Sequence, residues 1–174
     1  AGNTGDSNTV NLTKDTVAPT IAITTPVNGD TVNATNESSF AVSGTCSEAG
    51  RTVFFSSGSG TTTCDGTNFS TNLDFSGLSD GPFTLQASVT DTSGNTGFSN
   101  TVNLTKDTVA PTIAITTPVN GDFVNSSNEA SYAVAGTCNE AGRTVFFSSG
   151  VGSATCDGTN FSTNLDFSGV AEGP

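Results

Sequence analysis

The chain has 174 residues, of which 4 are Lys or Arg and 16 are Asp or Glu, so its net charge is −12, and it contains no His, Met or Trp. A surface with so few cations repels nucleic acid and anionic membranes, because it cannot release the counterions that drive such binding. The sequence shows neither a signal peptide nor an apolar run of about 18 residues, so we expect no membrane insertion. For a protein outside the cell, the missing signal predicts a mature or excised part.

An internal repeat organises the chain. Residues 8–30 return letter for letter at residues 100–122, an offset of 92 residues from position 8 to position 100. Each copy holds an alternating segment, a Lys-Asp-Thr-Val-Ala-Pro joint and a second alternating segment. This order is typical of the last strand of one module, a linker and the first strand of the next. We therefore predict the last strand of a preceding repeat at residues 1–15, a complete repeat at 16–107, and an incomplete repeat at 108–174.

Strand patterns account for the whole repeat. Thr9 to Leu12 alternates as a half-buried strand should, and residues 16–107 hold seven short alternating segments separated by turn signals such as Asn28-Gly29 and Asp80-Gly81. No segment has a helical period. The pattern and the repeat length predict tandem immunoglobulin-like, all-β sandwiches of about seven antiparallel strands each. The predicted inward residues include Ile21, Ile23, Phe40, Val42, Gly44, Cys46, Phe69, Leu73, Phe75, Phe83, Leu85, Ala87, Val89, Val102 and Leu104.

The four cysteines follow the repeat. Cys46 and Cys64 correspond to Cys138 and Cys156, so each module carries two cysteines at the same spacing. Pairing within a module is the economical interpretation, with buried free thiols as the alternative, since neither a CxxC motif nor a His points to metal. Such a disulfide contributes roughly 3 kcal/mol in the chain-entropy model and predicts an oxidising, extracellular location.

The last repeat stops before its sixth and seventh strands. Residues 108–174 match residues 16–82 except at 13 of 67 positions. The missing strands predict an exposed core face and two open strand edges. Two explanations stay open: a window cut from a long array, or strand exchange with another copy, for which residues 8–14 supply a spare seventh strand but no sixth.

Five short motifs carry a family resemblance. In order they are Gly44-Thr-Cys-Ser-Glu-Ala-Gly, Thr63-Cys-Asp-Gly-Thr-Asn-Phe-Ser, Asp80-Gly-Pro-Phe-Thr, Asp91-Thr-Ser-Gly-Asn and Asp107-Thr-Val-Ala-Pro-Thr. Together they resemble the tandem bacterial Ig-like domains of giant surface adhesins and extracellular filament proteins. The resemblance implies spacer modules that hold a terminal binding domain away from the cell, some of them stiffened by Ca²⁺ near the linkers. It implies no shared ligand.

The candidate cofactor is Ca²⁺, at the linkers between repeats. Acidic residues fall at both ends of the expected sandwich, and oxygen-rich loops are what Ca²⁺ requires. Asp and Asn also favour turns without any metal, so that alternative stays open. The candidate ligands are Asp15, Glu48 and Asp91 (with Asn95 nearby) at one end, and Asp30, Asp80 and Asp107 at the other, facing Glu140 of the following module.

Other chemistry has little support in the sequence. There is no His, no nucleophile motif and no phosphate loop, so we expect no enzyme. Lys14 and Lys106 are candidates for an isopeptide bond, but a linker lysine followed by Asp is more simply solvated. Seven Asn-x-Ser/Thr sequons offer glycosylation sites, namely Asn11, Asn33, Asn36, Asn68, Asn103, Asn125 and Asn160.

Two functions follow from these patterns. The first is a structural one: an extracellular, disulfide-stapled array whose partners are neighbouring repeats, forming an adhesin stalk or the body of a surface filament. The second is a binding module whose end loops recognise glycan or a cell-surface protein. The loops at residues 46–50 and 64–68 barely differ between copies and offer little aromatic surface, which favours the first function.

Overall fold

The computed structural model describes residues 1–148 and 152–173. These form two compact units, which we call unit 1 (Ala1–Val109) and unit 2 (Ala110–Pro174). In the described residues no helix is long and apolar enough to cross a membrane. The boundary at Val109 lies close to the predicted boundary at residue 107, while the assignment of residues 1–15 and 108–174 to partial repeats stays a prediction.

Unit 1 is a β-sandwich. One layer has the strand order β1-β3-β6, and the opposite layer is made of the sheets β5-β4-β8-β9 and β2-β10-β7. All strand pairs in unit 1 are antiparallel except β2 with β10, which is parallel. The strands are β1 (Ile21–Thr25), β2 (Thr31–Asn33), β3 (Phe40–Cys46), β4 (Thr52–Phe55), β5 (Thr61–Thr63), β6 (Asn68–Leu73), β7 (Gly81–Leu85), β8 (Ala87–Thr90), β9 (Thr96–Phe98) and β10 (Val102–Asp107).

The predicted fold class is confirmed, with differences in detail. The predicted sixth strand, from Phe83 to Val89, is divided at Gln86 into β7, which pairs with β10, and β8, which pairs with β4 and β9. Two further strands, β2 and β9, were not predicted. The predicted strand at Thr9–Leu12 is wrong for this chain, because residues 1–20 contain no strand. Val10 and Leu12 are 66% and 90% exposed there, since they have no strand to pair with.

The core follows the period-two pattern. Phe40, Val42 and Cys46 on β3 are buried, while the residues between them face outward or are half-buried. Gly44 continues this inward face without a side chain. A Cβ built at Gly44 would lie 2.0 Å from the Ala22 carbonyl oxygen and 2.6 Å from the Phe69 ring. Glycine is therefore required here by the close approach of a neighbouring backbone and an aromatic ring.

Both predicted disulfides are present. The Cys46–Cys64 and Cys138–Cys156 bonds each span Cα atoms 6.0 Å apart. In unit 1 the bond joins the end of β3 to the segment just after β5, so it links the two layers. The adjacent phenylalanines of β4 face opposite sides of the sheet, since Phe54 is 53% exposed whereas Phe55 packs on the core against Phe69.

Unit 2 repeats part of this sandwich. Its layers are β11-β12-β15 and β13-β14, with a 3₁₀ turn at Glu129–Ser131. Its inner face is open: Ile113 and Ile115 are 55% and 56% exposed, whereas Ile21 and Ile23 in unit 1 are 8% and 5% exposed. The strands are β11 (Ile113–Thr117), β12 (Tyr132–Cys138), β13 (Thr144–Phe146), β14 (Ser153–Thr155) and β15 (Asn160–Leu165).

Replacement of Gly44 by Val tests the close packing of β1, β3 and Phe69. The new side chain must displace the Ala22 backbone, so we expect the free energy of unfolding to fall by about 1–3 kcal/mol. Gly77→Ala is the matched control, because no atom lies within 4 Å of a Cβ at that position. Urea denaturation measures both variants, and equal midpoints for Gly44→Val and wild type would contradict the packing.

Candidate functional site at the ends of the complete module

The C-terminal end of β10 is fixed by a buried lysine. Lys106 is only 4% exposed, and its Nζ lies 2.7 Å from Oε2 of Glu37. The same ammonium donates to three backbone carbonyls, those of Phe75 at 3.0 Å, Ser76 at 3.3 Å and Leu78 at 2.7 Å. A buried cation is tolerated only when it is paired and hydrogen-bonded, and Lys106 satisfies both conditions.

The expectation that Lys106 is solvated is therefore wrong. Its position on β10 explains why, because Val102, Leu104 and Lys106 alternate inward at i, i+2 and i+4. This alternation was a signal available in the sequence. The surroundings of Nζ also disfavour an isopeptide bond to Asn, because the described partners of the ammonium are one carboxylate and three carbonyl oxygens.

Asp80 holds the linker that leaves unit 1. Its carboxylate accepts from Thr108 N at 3.1 Å and from Thr108 Oγ1 at 3.1 Å and 3.0 Å. The next acid, Asp107, accepts from Val109 N at 3.2 Å within the linker itself. Residues 106–109 are thus tied to the body of the sandwich by one ion pair and several hydrogen bonds.

Asp15 and Asp91 hold the linker that precedes unit 1's sandwich. Asp15 Oδ2 accepts from Ser93 Oγ at 3.1 Å, and its backbone carbonyl accepts from Asn95 Nδ2 at 3.3 Å. The buried Asp91 in turn accepts from Asn95 N and Asn95 Nδ2, both at 2.8 Å. The Asn95 side chain lowers the pKa of Asp91 most strongly; burial opposes this, and the backbone N–H groups of Asn95, Ser93 and Gly94 add to it.

The remaining candidate calcium ligands lie in separate local contacts. Glu48 pairs with Arg51 at 3.5 Å, and Glu140 pairs with Arg143 at 2.9 Å. Asp30 accepts from Val27 N at 2.9 Å, closing its own turn. Within residues 1–148 and 152–173, no three His, Cys, Asp or Glu side chains converge to hold a metal. Asp15, Asp91 and Asn95 are the part of the predicted set that the structure brings together, and calcium binding stays a prediction.

The sequons are accessible in most cases. Asn36 is half-buried and the others, Asn11, Asn33, Asn68, Asn103, Asn125 and Asn160, are exposed. Glycosylation at these positions stays a prediction.

Unit 2 repeats the turn that in unit 1 spans residues 75–78 and accepts hydrogen bonds from Lys106, but no lysine lies in the turn of unit 2. Phe167 N donates to the Glu129 carbonyl at 2.7 Å and Val170 N donates to the Phe167 carbonyl at 2.9 Å, as Phe75 and Leu78 do in unit 1. The backbone hydrogen bonds of this turn are therefore present in unit 2 without the lysine. Beside it runs an open apolar groove, lined among others by Ile113, Ile115, Val134, Phe146, Leu165 and Phe167.

Similarity to known proteins is found among solved structures only. A scan against protein-family models finds no match, and a search of curated proteins finds none either. Among solved structures, a chain from the structure of a 1.5-MDa bacterial ice-binding adhesin is similar over 91% of this chain and 56% of that solved chain, at 24% identity and a TM-score of 0.47. The tetra-tandem repeat of the extending region of a large adhesion protein is similar over 90% and 42%, at 25% identity and a TM-score of 0.38.

A third solved structure is of a different kind. The fibronectin(III)-like modules of Clostridium thermocellum CbhA are similar over 82% of this chain and 77% of their own, at 16% identity and a TM-score of 0.45. The chain thus spans about half the length of the first two structures, and none of the three TM-scores reaches 0.5. The first two structures come from a bacterial ice-binding adhesin and from a large adhesion protein.

The low pKa of Asp91 predicts a pH-dependent contribution to stability. A carboxyl group whose pKa is lowered on folding stabilises the fold above its ordinary value of 3.8, and that contribution is lost as the pH falls through 3.8 towards the folded value. We expect Asp91→Asn to be less stable than wild type at pH 7, with a difference that shrinks below pH 3.8. Thermal melting across this range measures it, and a difference that stays constant with pH would exclude a role for the Asp91 charge.

Calcium binding predicts a shift in thermal melting. If Ca²⁺ binds the folded chain at Asp15 and Asp91, adding it at 100 times its Kd stabilises the fold by about 2.7 kcal/mol, and EGTA reverses the shift. Asp15→Asn should reduce the effect, whereas Asp122→Asn, at an acid outside the predicted set, should not. A melting curve that is the same in Ca²⁺ and in EGTA would show that calcium does not bind the folded chain.

Proposed function

We propose that this chain is a structural segment of an extracellular bacterial surface protein, in which Ig-like modules act as spacers in a stalk or filament. The observation that carries the proposal is the path of the chain through unit 1. The preceding linker is tied at Asp15 to the turn after β8, and the following linker is tied at Thr108 to Asp80, just before β7. Because β7 and β8 run in sequence from residue 81 to 90, these two turns lie at opposite ends of the strands.

This path suits a module that adds length. Ten residues of extended chain span roughly 33 Å at the usual rise of a strand, so a module entered and left at opposite ends separates its neighbours by about that distance. Both linkers are attached by hydrogen bonds to the sandwich, which limits bending where they join it. The repeat of 92 residues and a disulfide in each module support an array in an oxidising environment. That the chain is not an enzyme remains a prediction.

A second candidate is a filament subunit assembled by strand exchange. In unit 1, Val102, Leu104 and Lys106 are buried, whereas the identical Val10 and Leu12 are exposed. Unit 2 offers an open groove with a preformed turn for the lysine. A second copy could therefore place residues 8–14 in the position that β10 takes in unit 1. Against this candidate, such a segment replaces β10 but not β7 or β8. Glycan recognition gains no comparable observation from the described residues.

The spacer proposal predicts where the chain is found in its source. Immunogold labelling with an antibody raised against the chain should decorate threads or filaments outside intact cells, at many points along each thread. An unrelated cytoplasmic protein, labelled in the same sections, gives the background. Labelling confined to the cell interior would contradict the proposal.

Sedimentation of the purified chain separates the two candidates. Strand exchange requires association that rises with concentration and that Leu12→Asp abolishes, because this side chain would enter the apolar groove. Leu12 is 90% exposed in the chain itself, so the variant should fold normally. A monomer at all concentrations leaves the spacer as the sole candidate, as does association that Leu12→Asp does not change.

A further inference from the structure

Unit 1 ends in a strand that its following linker would pull directly. β10 runs to Asp107, next to the linker, and pairs in parallel with β2 through Thr105 with Thr31, Lys106 with Val32 and Asp107 with Asn33. β2 is the second strand after the preceding linker, so a pull on that linker reaches β2 through β1. When the two linkers are pulled apart, β2 and β10 are drawn in opposite directions along their common axis. Their hydrogen bonds are then loaded together rather than one at a time.

The backbone pairing between these strands is short. β2 has three residues, and the register with β10 covers those three. On its other side, β10 pairs antiparallel with β7 from Val102 with Leu85 to Lys106 with Gly81. The position in β10 nearest the pulled end that faces inward is Lys106, whose neighbours on the strand, Thr105 and Asp107, are exposed.

Lys106 connects β10 to two other parts of the sandwich. Glu37, its ion-pair partner, lies between β2 and β3, and the three carbonyls that accept from Nζ lie between β6 and β7. These two segments are themselves joined, because Phe75 N donates to the Glu37 carbonyl at 2.7 Å. Withdrawing β10 along its axis therefore requires a buried ammonium to leave four oxygen atoms at once, before water can replace them.

We propose that Lys106 is a mechanical anchor, a side chain that resists extraction of the last strand when the array is stretched. This inference rests on the proposed spacer function, because it assigns to the module the tension that a stalk or filament carries. It adds the contacts of one side chain with its four oxygen partners to the hydrogen bonds between β2 and β10 that also resist the force. The predicted effect is on forced unfolding, which is governed by the unfolding rate under load and not by equilibrium stability alone.

The chain supplies its own control for this residue. Lys14 has the same sequence neighbours as Lys106, since residues 8–30 and 100–122 are identical, but it is exposed and lies outside the strands. Lys14→Met therefore changes the charge and composition of the chain as Lys106→Met does, without touching the anchor. Val53→Ala is the second control. Val53 is fully buried on β4, which pairs with β5 and β8 and not with β2 or β10, so this variant weakens the core but leaves the anchor in place.

Single-molecule stretching of the full chain, held by its two ends, tests the proposal. The unfolding of unit 1 is recognised by its longer release of chain, because its strands extend from Ile21 to Asp107 whereas those of unit 2 extend from Ile113 to Leu165. We expect Lys106→Met to raise the unfolding rate of unit 1 under a fixed load by on the order of a hundredfold, since breaking a buried ion pair is costly. Glu37→Gln, which keeps the three carbonyl acceptors, should have a smaller effect in the same direction.

The controls decide the outcome. Lys14→Met should unfold as wild type does, and Val53→Ala should lower the urea midpoint while raising the unfolding rate under load much less than Lys106→Met. Glu37→Gln carries the test if Lys106→Met does not fold. The proposal is overturned if those of the Lys106 and Glu37 variants that reach the folded state show the wild-type unfolding rate under load. It is also overturned if Val53→Ala raises the unfolding rate of unit 1 under load as much as Lys106→Met does. Either result leaves the cell-surface labelling unaffected, so the anchor and the spacer function fail separately.

Discussion

The pairing of β10 with β2 on one side and β7 on the other is the interaction on which the sandwich depends. The two units show its effect, because their shared segments are nearly identical in sequence. Val32 is fully buried beside β10, whereas its counterpart Val124 is 44% exposed, and residues 123–125 form no strand. A parallel edge strand of three residues does not persist without its partner. The burial of Ile21 and Ile23 likewise depends on strands that come much later in the chain.

The fold could be predicted from the sequence as far as each segment determines its own structure. The alternation on β3, the inward Gly44 and the cysteine pairs are all local or periodic features, and the structure has them as predicted. The division between β7 and β8 was not predictable, because the two halves pair with different strands, β7 with β10 and β8 with β4 and β9. β2 was missed for a similar reason. Its three residues show little pattern, and its partner lies more than 70 positions further along the chain.

The sequence places the acids of the candidate site at the ends of the module, and the metal binding expected of them stays a prediction. The acids do lie at the ends of the module, and Asp15 and Asp91 do come together through Ser93 and Asn95. Asp80, Asp15 and Asp91 accept hydrogen bonds that fix the linkers and turns, a role that an isolated sequence does not distinguish from metal binding. Lys106 is buried as its place in the alternation of β10 requires, although its residue type predicts a solvated side chain. A long charged side chain is usually solvated, but in the folded chain four oxygen atoms replace the water.

The identity of residues 8–30 and 100–122 has a consequence for how such a chain reaches its native state. A nascent groove does not distinguish its own last strand from an identical strand of the adjacent repeat, so simultaneous folding of neighbours favours misassembled pairs. Synthesis from the N-terminus reduces this competition, because each repeat can bury its last strand before the next copy emerges. Refolding of the complete chain from denaturant lacks this order in time. Near-identical neighbours therefore make the direction of synthesis part of the information that specifies the fold.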